Sequence, residues 1–114
     1  MRIGIVGAEA AKFTPLMESL ARKIIRGILD RVPLKFEGVY SQTHQHTVVS
    51  GGCHLGGIDI WAVEEAKGMG WEVCEHLPVT RTWPGYKARN EKIAQDCDQL
   101  HVIVVRAYHS KYNG

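Results

Sequence analysis

The chain of 114 residues is long enough for one domain with one core and too short for two. A hydrophobic fraction of 45%, a charged fraction of 23% and a formal net charge of +2 argue against disorder or coiled coil, and the scattered basic residues lack the clustered footprint of a duplex-DNA binder. Cys53, Cys74 and Cys97 are an odd set without CxxC spacing, which fits a reducing, cytoplasmic setting better than a disulfide framework; the opening apolar run is too short for a signal peptide or a membrane helix.

Short β-like runs alternate with helical patterns along the chain. Residues 2–6 read as a first strand ending in Gly7. A helix follows from Pro15, with Thr14 as N-cap and proline at the first helical position. Phe13, Met17, Leu20, Ile24 and Ile28 recur at helical spacing, and Leu16, Ile25 and Leu29 widen the stripe. Gly27 interrupts this helix at a cost of about 1 kcal/mol relative to alanine, which suggests close approach to a strand. Residues 34–40 alternate like an edge strand and residues 47–49 read as a short buried one. A second helix is expected over 58–69, with Ile58, Ala62, Ala66 and Met69 on its apolar face and Gly68 or Gly70 ending it. Then come a strand at 71–74, a loop at 78–85, a helix at 86–96, a strand at 101–105 and a tail from Arg106. The pattern predicts a single three-layer Rossmann-like α/β domain, its sheet mostly parallel, of about five strands, with helices on both faces.

The most informative stretch runs from Val48 and Val49 through Gly51, Gly52, Cys53, His54, Leu55, Gly56 and Gly57 into the second helix. Free N–H groups and the dipole at a helix start make an anion site, and glycines let backbone approach a phosphate without Cβ clashes. The alternative is a tight turn with no ligand; two glycine pairs in seven residues after a strand favour phosphate. A Walker A loop is absent, because Ile58 follows Gly57 where lysine belongs. The residues after strand one also lack GxGxxG spacing, so neither an ATPase nor a standard dinucleotide enzyme follows.

Taken together, Ile3-Gly4-Ile5-Val6-Gly7, the segment from Ser50 to Asp59, Ala62, Ala66, Gly70, the run Trp83-Pro84-Gly85-Tyr86-Lys87-Ala88-Arg89-Asn90 and Asp98 resemble the SLOG superfamily. That group includes the Lonely Guy phosphoribohydrolases, the DNA-processing protein A family and small stand-alone bacterial or phage domains, the last being most similar. The resemblance covers most of the chain and implies a Rossmann-like fold, nucleotide binding and a homodimer. The Lonely Guy enzymes of the group carry a second glycine motif with a catalytic glutamate after the strand that corresponds to residues 101–105. Here Arg106-Ala107-Tyr108-His109-Ser110 stands in its place, which removes that carboxylate.

The expected ligand is therefore a nucleotide or nucleotide-derived phosphorylated compound. Gly51, Gly52, Gly56 and Gly57 would hold phosphate, Asp59 the sugar, and Trp83, Tyr86, Arg89 and Asn90 the opposite wall, with Gly7 and Ala8 against base or ribose. Asp59 serves equally as a first-turn or N-cap carboxylate. If the chain is an enzyme, N-glycosidic hydrolysis of a nucleoside monophosphate would use Arg89 with Asp59 or Glu9; single-stranded nucleic acid is a third, less favoured partner. No cofactor and no metal are expected. His44, His46, His54, His76 and the cysteines lack the tight pairs of zinc sites, though His54 and His76 sit at strand ends facing a ligand.

Overall fold

The computed structural model describes residues 1–32 and 46–105. Four strands, β1 (Arg2–Gly7), β2 (Thr47–Ser50), β3 (Glu72–Glu75) and β4 (Gln99–Ile103), form one parallel sheet in the order β3-β2-β1-β4. Three helices, α1 (Pro15–Asp30), α2 (Ile58–Gly68) and α3 (Trp83–Asp96), connect or cover them, and a single 3-10 turn spans Ala10–Lys12. The expected edge strand at 34–40, His44 and the segment from Arg106 lie outside the described residues. The fold is thus α/β with a four-stranded parallel sheet; a fifth strand is not among the described elements.

Crossover handedness explains the layers. The chain steps from β1 to β2 to β3 in one direction, then returns past both to β4 on the far side of β1. Right-handed crossovers therefore put the connections before β3 on one face and α3 on the other. On the first face Ile3, Ile5 and Val48 meet Ile25 and Leu29 of α1 and Ile58, Trp61, Ala62 and Ala66 of α2. Each fully buried isoleucine there contributes about 1.5–3 kcal/mol. Strand alternation turns Val49 to the opposite face, where α3 crosses β1 and β2 and buries Ile93.

Helix α1 starts as expected, with Thr14 Oγ1 accepting from Met17 N–H at 3.2 Å. Its buried line is Ala21, Ile25 and Leu29, whereas Leu16, Leu20 and Ile24 of the expected stripe are 80%, 58% and 45% exposed. Contrary to expectation, Gly27 approaches no strand: a Cβ there would meet nothing within 4 Å. A charged cluster ties α1 to α2, where Arg22 bonds Glu18, Glu64 and Glu65 at 2.7–3.0 Å and Arg26 bonds Glu65 at 3.0 Å.

Helix α3 begins at Trp83, three residues before the expected start at Tyr86. Proline is tolerated in a first turn because its missing N–H would have no intrahelical partner there. Gly85 is the tight point, since a Cβ on it would lie 2.1 Å from the Thr80 carbonyl oxygen. Arg89 and Asn90 consequently sit in the second turn and do not open the helix. The ends of β3 and β4 also shift by one or two residues from expectation. Among the described residues no helix is long and apolar enough to cross a membrane.

Candidate ligand-binding cleft

The site is built where β1 ends. Gly7 pairs with Ile103 of the neighbouring β4, and a Cβ on it would lie only 1.9 Å from the Ile103 carbonyl oxygen. Ala8 N–H donates to that same oxygen at 3.1 Å, and the Ala8 carbonyl accepts from Ile58 N–H at 3.1 Å. The start of α2 is thereby pinned to the loop after β1. Gly57 caps the helix at φ 90°, ψ −149°, a region essentially reserved for glycine, and a Cβ would stand 2.2 Å from the Ala8 oxygen.

Asp59 follows in the first turn of α2, 3% exposed. Its Oδ1 accepts from Gly7 N–H at 3.1 Å, and its Oδ2 lies 3.9 Å from Arg89 Nη1. Burial pushes this carboxyl above its ordinary pKa, against the pull of the Gly7 N–H and the Arg89 charge. It is not the N-cap; Gly57 is, with no side-chain cap bond. Ser50 braces the turn from below, its Oγ donating to the Asp59 carbonyl at 2.9 Å and accepting from Gly52 N–H at 3.2 Å.

Arg89 reaches over from α3. Its Nη1 donates to the Gly51 carbonyl at 3.1 Å, its Nε donates to Asn90 Oδ1 at 2.9 Å, and its guanidinium carbon lies 5.4 Å from the Tyr86 ring centre. Gly51 clears the path: a Cβ there would come within 2.4 Å of Arg89 Nη1 and 2.7 Å of Asp59 Oδ2.

A cleft of about 620 Å³ opens beside this pair. Gly7, Ala8, Asp59, Arg89 and Asn90 line it together with Lys12, while Val6, Ile93 and the β4 side chains Leu100 and Val102 make an apolar wall. Its volume is that of a small-molecule site. It lies at the carboxyl ends of β1 and β4, the neighbouring strands where the strand order reverses, and ligands of open α/β sheets bind at such a switch point.

The glycine turn contributes differently from expectation. Gly51 makes room for Arg89, whereas Gly56 and Gly57 pack against Ala8, Glu9 and Ala10 and line no cleft. Three of the N–H groups expected to face an anion have internal partners: Gly52 gives to Ser50, Gly56 to Cys53 and Ile58 to Ala8. Gly52 and His54 line a smaller pocket of about 130 Å³ with Arg81, Tyr86 and Arg89, so Arg89 borders both spaces. Trp83 is 70% exposed and lines neither, and Glu9 lines neither. Lys12 and Arg81 escaped the sequence reading; a cation just after strand one, in a loop at the carboxyl edge, was the available signal for Lys12.

Fold and cleft define an α/β protein with a four-stranded parallel sheet. No protein-family model, no curated protein and no solved structure matches the chain.

Proposed function

We propose that the chain binds a nucleotide or nucleotide-derived phosphorylated ligand in the cleft at the carboxyl ends of β1 and β4. The observation that carries this reading is the placement of Lys12, Asp59, Arg89 and Asn90 around one cleft at the switch point of the sheet. The two cations suit phosphate, Arg89 bidentately, and the carboxylate and amide suit ribose hydroxyls or a base edge. The wall of Val6, Ile93, Leu100 and Val102 offers an apolar surface to the flat face of a base. The SLOG resemblance points to the same ligand class.

A thermal-shift and calorimetric screen of nucleoside mono-, di- and triphosphates tests the reading. Saturable stabilisation by at least one phosphorylated compound, lost in Arg89→Ala with the fold intact, is expected. Stabilisation by none of them, or by apolar compounds alone, overturns it.

Asp59 supports a second, catalytic reading. A buried carboxylate with a raised pKa in a cleft is a recurrent acid–base arrangement, and Glu9, the other candidate, does not reach the cleft. In hydrolysis water would add to the anomeric carbon as the bond to the base breaks, with Asp59 taking the water's proton and the departing base gaining one. Release of free base from a nucleoside monophosphate, abolished in Asp59→Asn, would establish it; binding without release leaves a binding module.

A further inference from the structure

Away from both pockets, β3 and the end of α3 bring together three side chains that are distant in sequence. Cys74 and His76 share one face of β3 and its extension, held in register by Val49 opposite Cys74 and by His76 N–H donating to the Ser50 carbonyl at 2.8 Å. Asp96, the last residue of α3, meets them from the other element. Cys74 Sγ lies 3.9 Å from His76 Nε2 and 3.7 Å from Asp96 Oδ2, and Nε2 lies 2.8 Å from Oδ2. One sulfur, one nitrogen and one oxygen thus converge on a single point, all three residues half-buried.

The spacing separates two uses of such a trio. A thiol–imidazole–carboxylate relay needs the carboxylate on one ring nitrogen and the thiol on the other. Here the same atom, His76 Nε2, faces both Cys74 and Asp96, so the ring cannot be oriented by one while taking a proton from the other. Convergence of three donor atoms about 3–4 Å apart is instead the geometry of a tetrahedral ion with bonds of about 2.0–2.3 Å. The carboxylate is also held as a ligand is held. Arg2 Nε donates to Asp96 Oδ1 at 2.9 Å and to its backbone carbonyl at 2.9 Å, while Nη2 donates to Oδ2 at 2.8 Å. The second lone pair of Oδ2, which now accepts from His76, is the one an ion would take.

We propose that Cys74, His76 and Asp96 form a site for a zinc-class divalent ion, with a fourth position open to solvent or an exogenous ligand. Thiolate and imidazole select this class over magnesium or calcium, which prefer all-oxygen shells. Binding releases the thiol proton of Cys74 and takes His76 as the tautomer with its proton on Nδ1, so that sulfur and Nε2 lone pairs point to the metal. Lone histidines and unpaired cysteines give no such signal in the sequence, because the third ligand arrives from 20 residues beyond His76.

Cobalt(II) titration of the chelator-treated, reduced full-length chain tests the site. One equivalent of cobalt is expected to produce a thiolate-to-cobalt charge-transfer band with tetrahedral visible absorption, both bleached by added zinc. Cys74→Ser should abolish the band, and His76→Asn or Asp96→Asn should weaken binding at least about 10-fold. Cys53→Ser and Cys97→Ser should leave the band unchanged, and circular dichroism establishes that each variant is folded. No charge-transfer band with excess cobalt, or a band that survives Cys74→Ser, overturns the proposal.

Discussion

Asp59 and Arg89 face each other at 3.9 Å across the start of α2, close enough to attract and too far for a tight hydrogen-bonded pair. Each side chain is committed elsewhere, Asp59 to Gly7 N–H and Arg89 to the Gly51 carbonyl and Asn90. A carboxylate and a guanidinium so restrained are presented to the cleft, and neither is consumed by the other. Their charges remain available to a ligand that fits between or beside them.

The buried Asp59 carboxyl is a cost to folding near neutral pH. Its folded pKa is raised, chiefly by burial, so the native state gives up this proton less readily than the unfolded chain, whose carboxyl pKa is about 3.9. Its contribution to stability is fully present below the unfolded value and is lost as pH rises through the folded one. Asp59→Asn keeps an acceptor for Gly7 N–H and removes the buried charge. The variant should melt at or above the wild-type temperature at pH 7, with the gap closing toward pH 4, while nucleotide affinity falls about 10-fold or more, as for a lost charge-assisted bond. Paired thermal melts across pH and a binding isotherm check both halves; a clearly lower melting temperature at pH 7 would show that attraction to Arg89 outweighs burial.

Two glycines of the same turn should respond differently to alanine. At Gly51 the obstructing atoms belong to the flexible end of Arg89 and to Asp59, so Gly51→Ala should displace Arg89 and lose ligand binding at a stability cost of only about 1 kcal/mol. At Gly57 the obstruction is the Ala8 backbone and φ is 90°, so Gly57→Ala combines a rigid clash with a forbidden conformation. A loss of about 3 kcal/mol or more is expected there. Urea unfolding of both variants separates the two roles, and equal losses would refute the distinction.

Gly27 should be improvable. It sits inside α1 with nothing within 4 Å of the position a Cβ would occupy. Gly27→Ala should stabilise the chain by about 0.5–1 kcal/mol through reduced backbone freedom in the unfolded state. Destabilisation instead would mean that this side of α1 is covered in solution. Sedimentation of the variant and wild type would then test pairing through the exposed Leu16, Leu20 and Ile24.

The sheet was legible in the sequence because the first three strands are short runs followed by a helical period: residues 2–6, 47–49 and 71–74 all overlap observed strands. Asp59 was legible as a polar residue of a first helical turn, and Arg89 and Asn90 as polar residues of the helix after the 78–85 loop, though they stand in its second turn. What escaped had physical reasons. A broad apolar stripe does not say which half is buried, so Leu20 and Ile24 were indistinguishable from Ile25 and Leu29. The Trp83-Pro84-Gly85 run carries loop residues that a first helical turn also accepts. The glycines advertised backbone freedom, but not that the freedom serves packing against Ala8 and clearance for Arg89. The grouping of Cys74 with Asp96 depends on where α3 ends over β3, which no local pattern encodes.

The charged cluster between α1 and α2 should shape the acid limb of stability. Arg22 is 24% exposed, bonds three glutamates and places its guanidinium carbon 5.5 Å from the Trp61 ring centre. Burial raises the pKa of Glu65, but the bonds from Arg22 and Arg26 outweigh it and leave the carboxyl below its ordinary value. A depressed folded pKa gives stability that is complete above the unfolded value of about 4.3 and is lost as pH falls through the folded one. Arg22→Ala removes the main attraction and leaves Glu18, Glu64 and Glu65 to repel one another. It should cost about 1–2 kcal/mol at pH 7, where partial solvent screening limits the loss. As pH drops below about 4 the glutamates of both proteins are neutralised and the difference should shrink to the contact of the Arg22 guanidinium with Trp61. Urea melts of both proteins from neutral pH into the acid range measure this convergence, and a gap independent of pH would assign the role of Arg22 to packing alone.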